Sequence, residues 1–219
     1  MWKSLNDTAE EMAMTLQEQL ENNLVSWPRG QEQLFLPVDA QDRLLTARNV
    51  AAEFERLFPK LAQEERSNYV SRTCGSARKL FAILLGINKG GSIIDILADG
   101  ITDGDLPLVK YRAAHSNYTN PRFTLRSKWR IDRPIHAIDQ WDWRPTIRQF
   151  YGEQWWLNAP VFKTQGKHYE FEDDCVLPFL EDQEDINVSG GYSDVWGVRI
   201  HPAHHNFFRS PKSQVRATK

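Results

Sequence analysis

The strongest constraint in this chain is the block from Ser76 to Gly100, where an apolar run at helical spacing is followed by a glycine turn and a second short apolar run. Ala77, Leu80, Phe81, Leu84 and Leu85 recur on one side of a helix expected over Ser76 to Ile87. Asn88-Lys89-Gly90-Gly91 is too glycine-rich to continue it. A further short helix starts near Ser92, and Gly100 suits the left-handed residue beyond its end, with Ile101 reaching back to Ile96 in a Schellman closure. The local motif is helix, turn, helix.

The flanking segments extend this pattern. Thr8 with Glu11 fits a capping box, and Met12, Leu16, Leu20 and Leu24 follow at helical spacing until Trp27-Pro28-Arg29-Gly30 stops them. One helix is expected from about Ala40 to Phe58, capped by Asp39, closed by Pro59 and packed through Leu44, Ala47, Val50, Ala51, Phe54, Leu57 and Phe58. Ile147, Phe150, Tyr151, Trp155 and Leu157 keep a helical rhythm. Leu157 to Phe162 reads as an exit into extended chain, and His168-Tyr169-Glu170-Phe171 alternates like a strand.

Charge divides the chain where the net of −2 does not: residues 1 to 65 hold twelve acidic and six basic residues, while Lys110 to Phe150 hold nine basic and three acidic. Glu170 to Asp185 contains eight acidic residues and no basic one, which reads as a solvated connection. The expected organisation is a helical module over 1–169, an acidic linker over 170–185 and a hairpin region over 186–219. The expected fold class is α+β, mainly α and followed by a short β-hairpin.

No apolar run reaches the roughly 18 residues that a bilayer span needs, and the start turns acidic where a signal peptide turns apolar. An intracellular protein, cytoplasmic or nuclear, with no membrane partner is expected. Cys74 and Cys175 fit no metal or redox spacing and are expected as reduced thiols. Asn88 to Gly91 lacks the P-loop order, and Asp103-Gly104-Asp105 lacks the later ligands of a calcium loop. Trp129, Trp141, Trp143, Trp155 and Trp156 fall among Arg122, Arg126, Lys128, Arg130, Arg133, Arg144 and Arg148. Such a mixture suits either base stacking or a packed core with a solvated basic rim. The core is the reading adopted, so nucleic acid is not an expected partner. No Ser–His–Asp, HExxH or paired-carboxylate arrangement stands out in the sequence.

Near the C-terminal end, Ile186 to Ile200 reads strand, glycine turn, strand. The segments ARKLFAIL, DGITDGDLPL, QFYGEQWWLNAPVF, VLPFLED, SGGYSDVW and IHPAHHNF, in that order from Ala77 to Phe207, resemble the region leading into the catalytic domain of fungal serine/threonine protein kinase-like proteins. The resemblance implies a glycine-rich loop closing over ATP. Val188, Gly190 and Ser193 then stand at its three glycine positions, Gly191 beside them, Tyr192 at the tip and Val195 on the adenine. It further implies that Lys219 is the ATP-pairing lysine, and that His201, His204 and His205 belong to the connection between the second and third strands, not to a zinc site. The parent would use ATP with Mg, whereas this chain carries no HRD or DFG motif and is expected to be inactive alone. The alternative is a non-catalytic module that binds a protein, or single-stranded nucleic acid, through its helical, aromatic and basic face.

Overall fold

The computed structural model describes residues 14–26, 33–112, 122–163, 168–190 and 193–207, with side chains left aside at 181–190 and 193–197. The chain is an α+β protein dominated by helices, and the sheets among the described residues are antiparallel pairs of strands. It divides into two compact units, one of residues 1–22 and 42–154 and one of residues 23–41 and 155–219.

The first unit is organised by α5 (Arg78–Gly86), in which Leu80, Phe81, Ala82, Ile83, Leu84 and Leu85 are all buried. A helix apolar on every side belongs in the middle of a core. Ala77 provides no side-chain cap for it. Asp103 does so instead, its carboxylate accepting from the Lys79 N–H at 3.1 Å and the Leu80 N–H at 3.0 Å, where the helix dipole favours a negative charge.

The C-terminus of α5 closes as a Schellman motif with Asn88 at φ 57° in the left-handed position. Its hydrogen bonds run from Lys89 N–H to the Leu84 carbonyl at 2.7 Å and from Asn88 N–H to Leu85 at 3.0 Å. Gly90 follows because a β-carbon there would stand 2.8 Å from a Leu85 methyl. After α6 (Ile93–Ala98) the expected closure is present: Gly100 has φ 72°, and the N–H groups of Ile101 and Gly100 donate to the Ile96 and Leu97 carbonyls at 3.2 Å each.

Around α5 the other elements depart from expectation in instructive ways. α1 (Leu16–Glu21) is capped by a second Thr-x-x-Glu, with Thr15 Oγ1 accepting from Glu18 N and the Glu18 carboxylate accepting from Thr15 N. Thr8 and Glu11 lie outside the described residues. The single helix expected over Ala40 to Phe58 is two, α2 (Val38–Leu44) and α3 (Ala47–Leu57). Between them Thr46 is extended, and its side chain accepts from Asn49 N at 3.3 Å, so a local cap wins over helix continuation. Asp39 therefore sits inside α2, and Ala47 is exposed.

α4 (Gln63–Ser76) has no counterpart in the sequence reading, since only Thr73 of its fourteen residues is buried and no apolar stripe marks it. It packs on α3, whose Phe54 ring lies 5.3 Å from Phe81. The unit is completed by β3 (Val109–Arg112) paired with β4 (Phe123–Arg126), by α7 (His136–Asp139) and by most of α8 (Arg148–Leu157). Gln154 of α8 replaces a strand neighbour for Leu108, accepting from its N–H at 2.7 Å and donating to its carbonyl at 3.0 Å.

In the second unit, β1 (Val25–Ser26) pairs with β2 (Leu34–Phe35), and Leu36 N–H donates to the Trp156 carbonyl at 2.8 Å. β5 (Phe179–Gly190) pairs antiparallel with β6 (Ser193–Ile200) from Phe179↔Ile200 to Gly190↔Ser193, with irregularities after Phe179 and Gln183. The strand thus begins seven residues before the expected hairpin start (186 − 179), inside the stretch read as an acidic linker. An antiparallel ladder satisfies backbone N–H and C=O groups whatever charge the side chains carry. The alternation at His168 to Phe171 makes no strand; with no partner strand, it places the Tyr169 and Phe171 rings in a stack at 5.8 Å. Cys74 and Cys175 are half-buried free thiols, and burial pushes both up from the ordinary cysteine value. No helix among the described residues is long and apolar enough to cross a membrane.

Candidate functional site

Of the residues named from the kinase resemblance, Val188, Gly190, Ser193 and Val195 lie on the paired strands β5 and β6. Val188 on β5 pairs with Val195 on β6, and Gly190 pairs directly with Ser193. Gly191, Tyr192 and Lys219 themselves lie outside the described residues.

Of the three histidines beyond β6, His201 and His204 hold backbone groups through their rings. His204 is fully buried; its Nε2 accepts from Val38 N–H at 3.2 Å, so the ring proton sits on Nδ1, which donates to the Pro160 carbonyl at 2.9 Å. With both nitrogens engaged, no lone pair is left for a metal. His201 Nδ1 accepts from Ala203 N at 3.2 Å, and burial pushes this imidazole below its ordinary value. Phe35 meets the edges of the His201 and His204 rings at 5.8 and 5.3 Å. Residues 34–38 are thereby tied to the end of β6. No group of three or more His, Cys, Asp or Glu among the described residues could hold a metal ion.

The aromatic and basic segment of the first unit divides into packed and displayed rings. Trp141 lies 5.8 Å from Phe150, Trp143 lies 6.3 Å from Phe123, and the Lys110 ammonium sits 4.0 Å over the Tyr151 ring. Arg126 is buried and forms a two-pronged pair with Asp139 at 2.8 and 3.0 Å, so its charge is spent internally. Trp129 breaks this pattern, because it is 71% exposed where core packing is expected. The physical reason is its neighbour Ser127, which takes the inward place and donates to buried Asp105 at 2.6 Å, leaving Trp129 two residues on at the crest of the turn.

One further polar group escapes sequence reasoning altogether. Glu153 on α8 is buried; its Oε1 accepts from Gln149 at 2.7 Å, whereas Oε2 has no hydrogen-bond partner and lies where a β-carbon on Gly86 would clash with it. Burial, reinforced by Glu21 and opposed by the Gln149 hydrogen bond, pushes this carboxyl up to about 7. A carboxyl raised on folding stabilises the native state fully below the ordinary glutamate range, and that contribution is lost as pH rises through about 7. Glu153→Gln is therefore expected to melt higher than the parent at pH 8 and to lose the downward slope between pH 5 and 7 seen in pH-dependent thermal melts. An unchanged slope would remove Glu153 as its source.

The fold and these sites define a helical α+β chain with a C-terminal β-hairpin and a displayed aromatic turn. It matches no protein-family model, no curated protein and no solved structure.

Proposed function

We propose that this chain is the N-terminal region and first small-lobe strands of a serine/threonine protein kinase-like protein of the fungal type, whose parent moves the ATP γ-phosphate to Ser or Thr. The observation that supports this reading is the register of β5 and β6, in which Val188 faces Val195 and Gly190 faces Ser193 on either side of the sequence Gly191-Tyr192. The absence of a β-carbon at both positions fits a backbone that approaches a polyphosphate closely.

In the parent, ATP with Mg supplies the transferable phosphoryl group. In this chain Gly190 and Gly191 would let N–H groups approach phosphate, Tyr192 would cover it, Val195 would pack on adenine, and Val188 and Ser193 would stand at the first and third glycine positions of the loop. Lys219 would be the pairing lysine. An intracellular compartment, and a protein partner for the helical module, belong to the same proposal.

The 219-residue chain is expected to show no phosphotransfer, as HRD and DFG motifs are missing from its sequence. Turnover that survives repurification and disappears in a Gly190→Val/Gly191→Val variant would contradict that. The reading as a whole is tested by the frame downstream of Lys219, in which an HRD-type and a DFG-type motif are expected. If neither occurs there, the kinase assignment is overturned. A second reading, a non-catalytic interaction module, is favoured by the exposure of Trp129.

A further inference from the structure

The turn from Ser127 to Arg133 is fastened at its base and apolar at its crest. Asp105 accepts from Ser127 Oγ at 2.6 Å and from Arg130 Nη2 at 2.8 Å, and the same Arg130 nitrogen donates to the Gly100 carbonyl at 3.0 Å. Inside the turn, Trp129 N–H donates to Ser127 Oγ at 3.3 Å, Arg130 N–H to the Ser127 carbonyl at 3.1 Å and Arg133 N–H to Arg130 at 3.0 Å. A turn held this way cannot fold its tryptophan onto the protein surface. Trp129 is accordingly 71% exposed and Ile131 37% exposed. These are two of the four exposed large hydrophobic residues among the described ones.

The charges around that crest select the occupant. Arg130 is neutralised by Asp105, but Lys128 and Arg133 are exposed with no acidic partner among the described residues, and the Lys128 ammonium lies 5.0 Å over the Trp129 ring. Two free cations beside a displayed indole suit carboxylates flanking an apolar side chain. A nucleic acid suits the site less well, because Ile131 beside Trp129 has no π-face for a base. A rigid, presented Trp is the residue type that most often dominates a protein interface.

We propose that the Trp129 turn is a docking site for an acidic peptide segment of a partner protein, with an apolar side chain seated on Trp129 and Ile131 and carboxylates on Lys128 and Arg133. It rests on the interaction-module reading and names the chemistry of the partner.

The experiment titrates the full chain calorimetrically with a short synthetic peptide of Asp and Glu interrupted by Phe and Leu, in parallel with an oligo-dT strand and with anionic phospholipid vesicles. Peptide binding that weakens about tenfold or more in Trp129→Ala and in Lys128→Glu/Arg133→Glu is expected, with Trp129→Phe largely retained and the melting temperature unchanged throughout. Raised salt should weaken it in the parent chain. Peptide binding indifferent to Trp129→Ala overturns the proposal. Trp129-dependent binding of the oligonucleotide or the vesicles, without the peptide, overturns it while keeping the interaction module. Failure of all three probes overturns both.

Discussion

Asp105→Ala is expected to destabilise the first unit by about 3 kcal/mol, because it removes the shared acceptor of four donors in a buried site. Asp105 is 5% exposed and Ser127 only 1% exposed, so the Ser127 hydroxyl left behind cannot turn to water. Thr102 N–H and Oγ1, at 2.9 and 3.1 Å, lose the same carboxylate. Arg130 is about one-third exposed and regains hydration in the variant, which keeps the loss below that of a fully buried ion pair.

Burial alone would raise the Asp105 carboxyl, but the hydrogen bonds from Ser127, Arg130 and Thr102 outweigh it and hold it below the ordinary aspartate value. A carboxyl lowered on folding stabilises above the ordinary aspartate range and loses that contribution as pH falls through its folded value. The gap between parent and Asp105→Ala in urea unfolding should thus be full at pH 7 and shrink toward pH 3. Asp105→Asn keeps the shape but turns a donor toward donors, and recovers only part of the loss. A variant within about 0.5 kcal/mol of the parent at pH 7 would contradict the assignment of Asp105 as the anchor of the turn.

Trp155→Ala is expected to cost on the order of 3–5 kcal/mol, enough to unfold a marginal unit. Trp155 is 5% exposed near the end of α8, with Leu157 and Ala159 buried beyond it, so deletion of the indole removes a large buried apolar group and leaves a cavity. Trp156, half-buried beside it, should cost less when truncated, since its structural hydrogen bond runs through its carbonyl to Leu36 N–H. Trp129→Ala should stay within about 0.5 kcal/mol, as its ring is mostly in water already. Thermal melts of the three single variants test this order. Melting temperatures unaltered in both Trp155→Ala and Trp156→Ala, with salt-dependent oligonucleotide binding lost, would overturn the packing role.

The three tryptophans also mark what a sequence conveys. Trp155 lies in an apolar run at helical spacing, and periodicity reports which face of a helix is buried. Trp129 lies among Arg126, Lys128, Arg130 and Arg133 with no periodic apolar run, and its exposure depends on whether Ser127 or Trp129 faces Asp105, a contact across 22 residues that spacing does not encode. Glu153 was illegible for a related reason. Its burial comes from the close approach of Gly86, and an isolated Gln149-x-x-x-Glu153 spacing reads as an ordinary solvated helix pair. The histidines show another case: the sequence reads them as part of a strand connection, whereas only the fold shows which backbone groups, Val38 N–H and the Pro160 carbonyl, engage His204.

Local chemistry determined the helical character of the chain, the burial of Ala77, Leu80, Phe81, Leu84 and Leu85, the left-handed glycine at 100, the two strands on either side of residues 191–192, and the end of α8 at Leu157. Each follows from periodicity or from a residue's own φ preference, which act within a few positions. The polar helix Gln63–Ser76, the capping of α5 by distant Asp103 and the grouping of residues 23–41 with 155–219 were decided by tertiary structure, and the break at Thr46 by its own local cap. Competing local hydrogen bonds, and acceptors brought from tens of residues away, settle those features, and neither leaves a periodic signal along the chain.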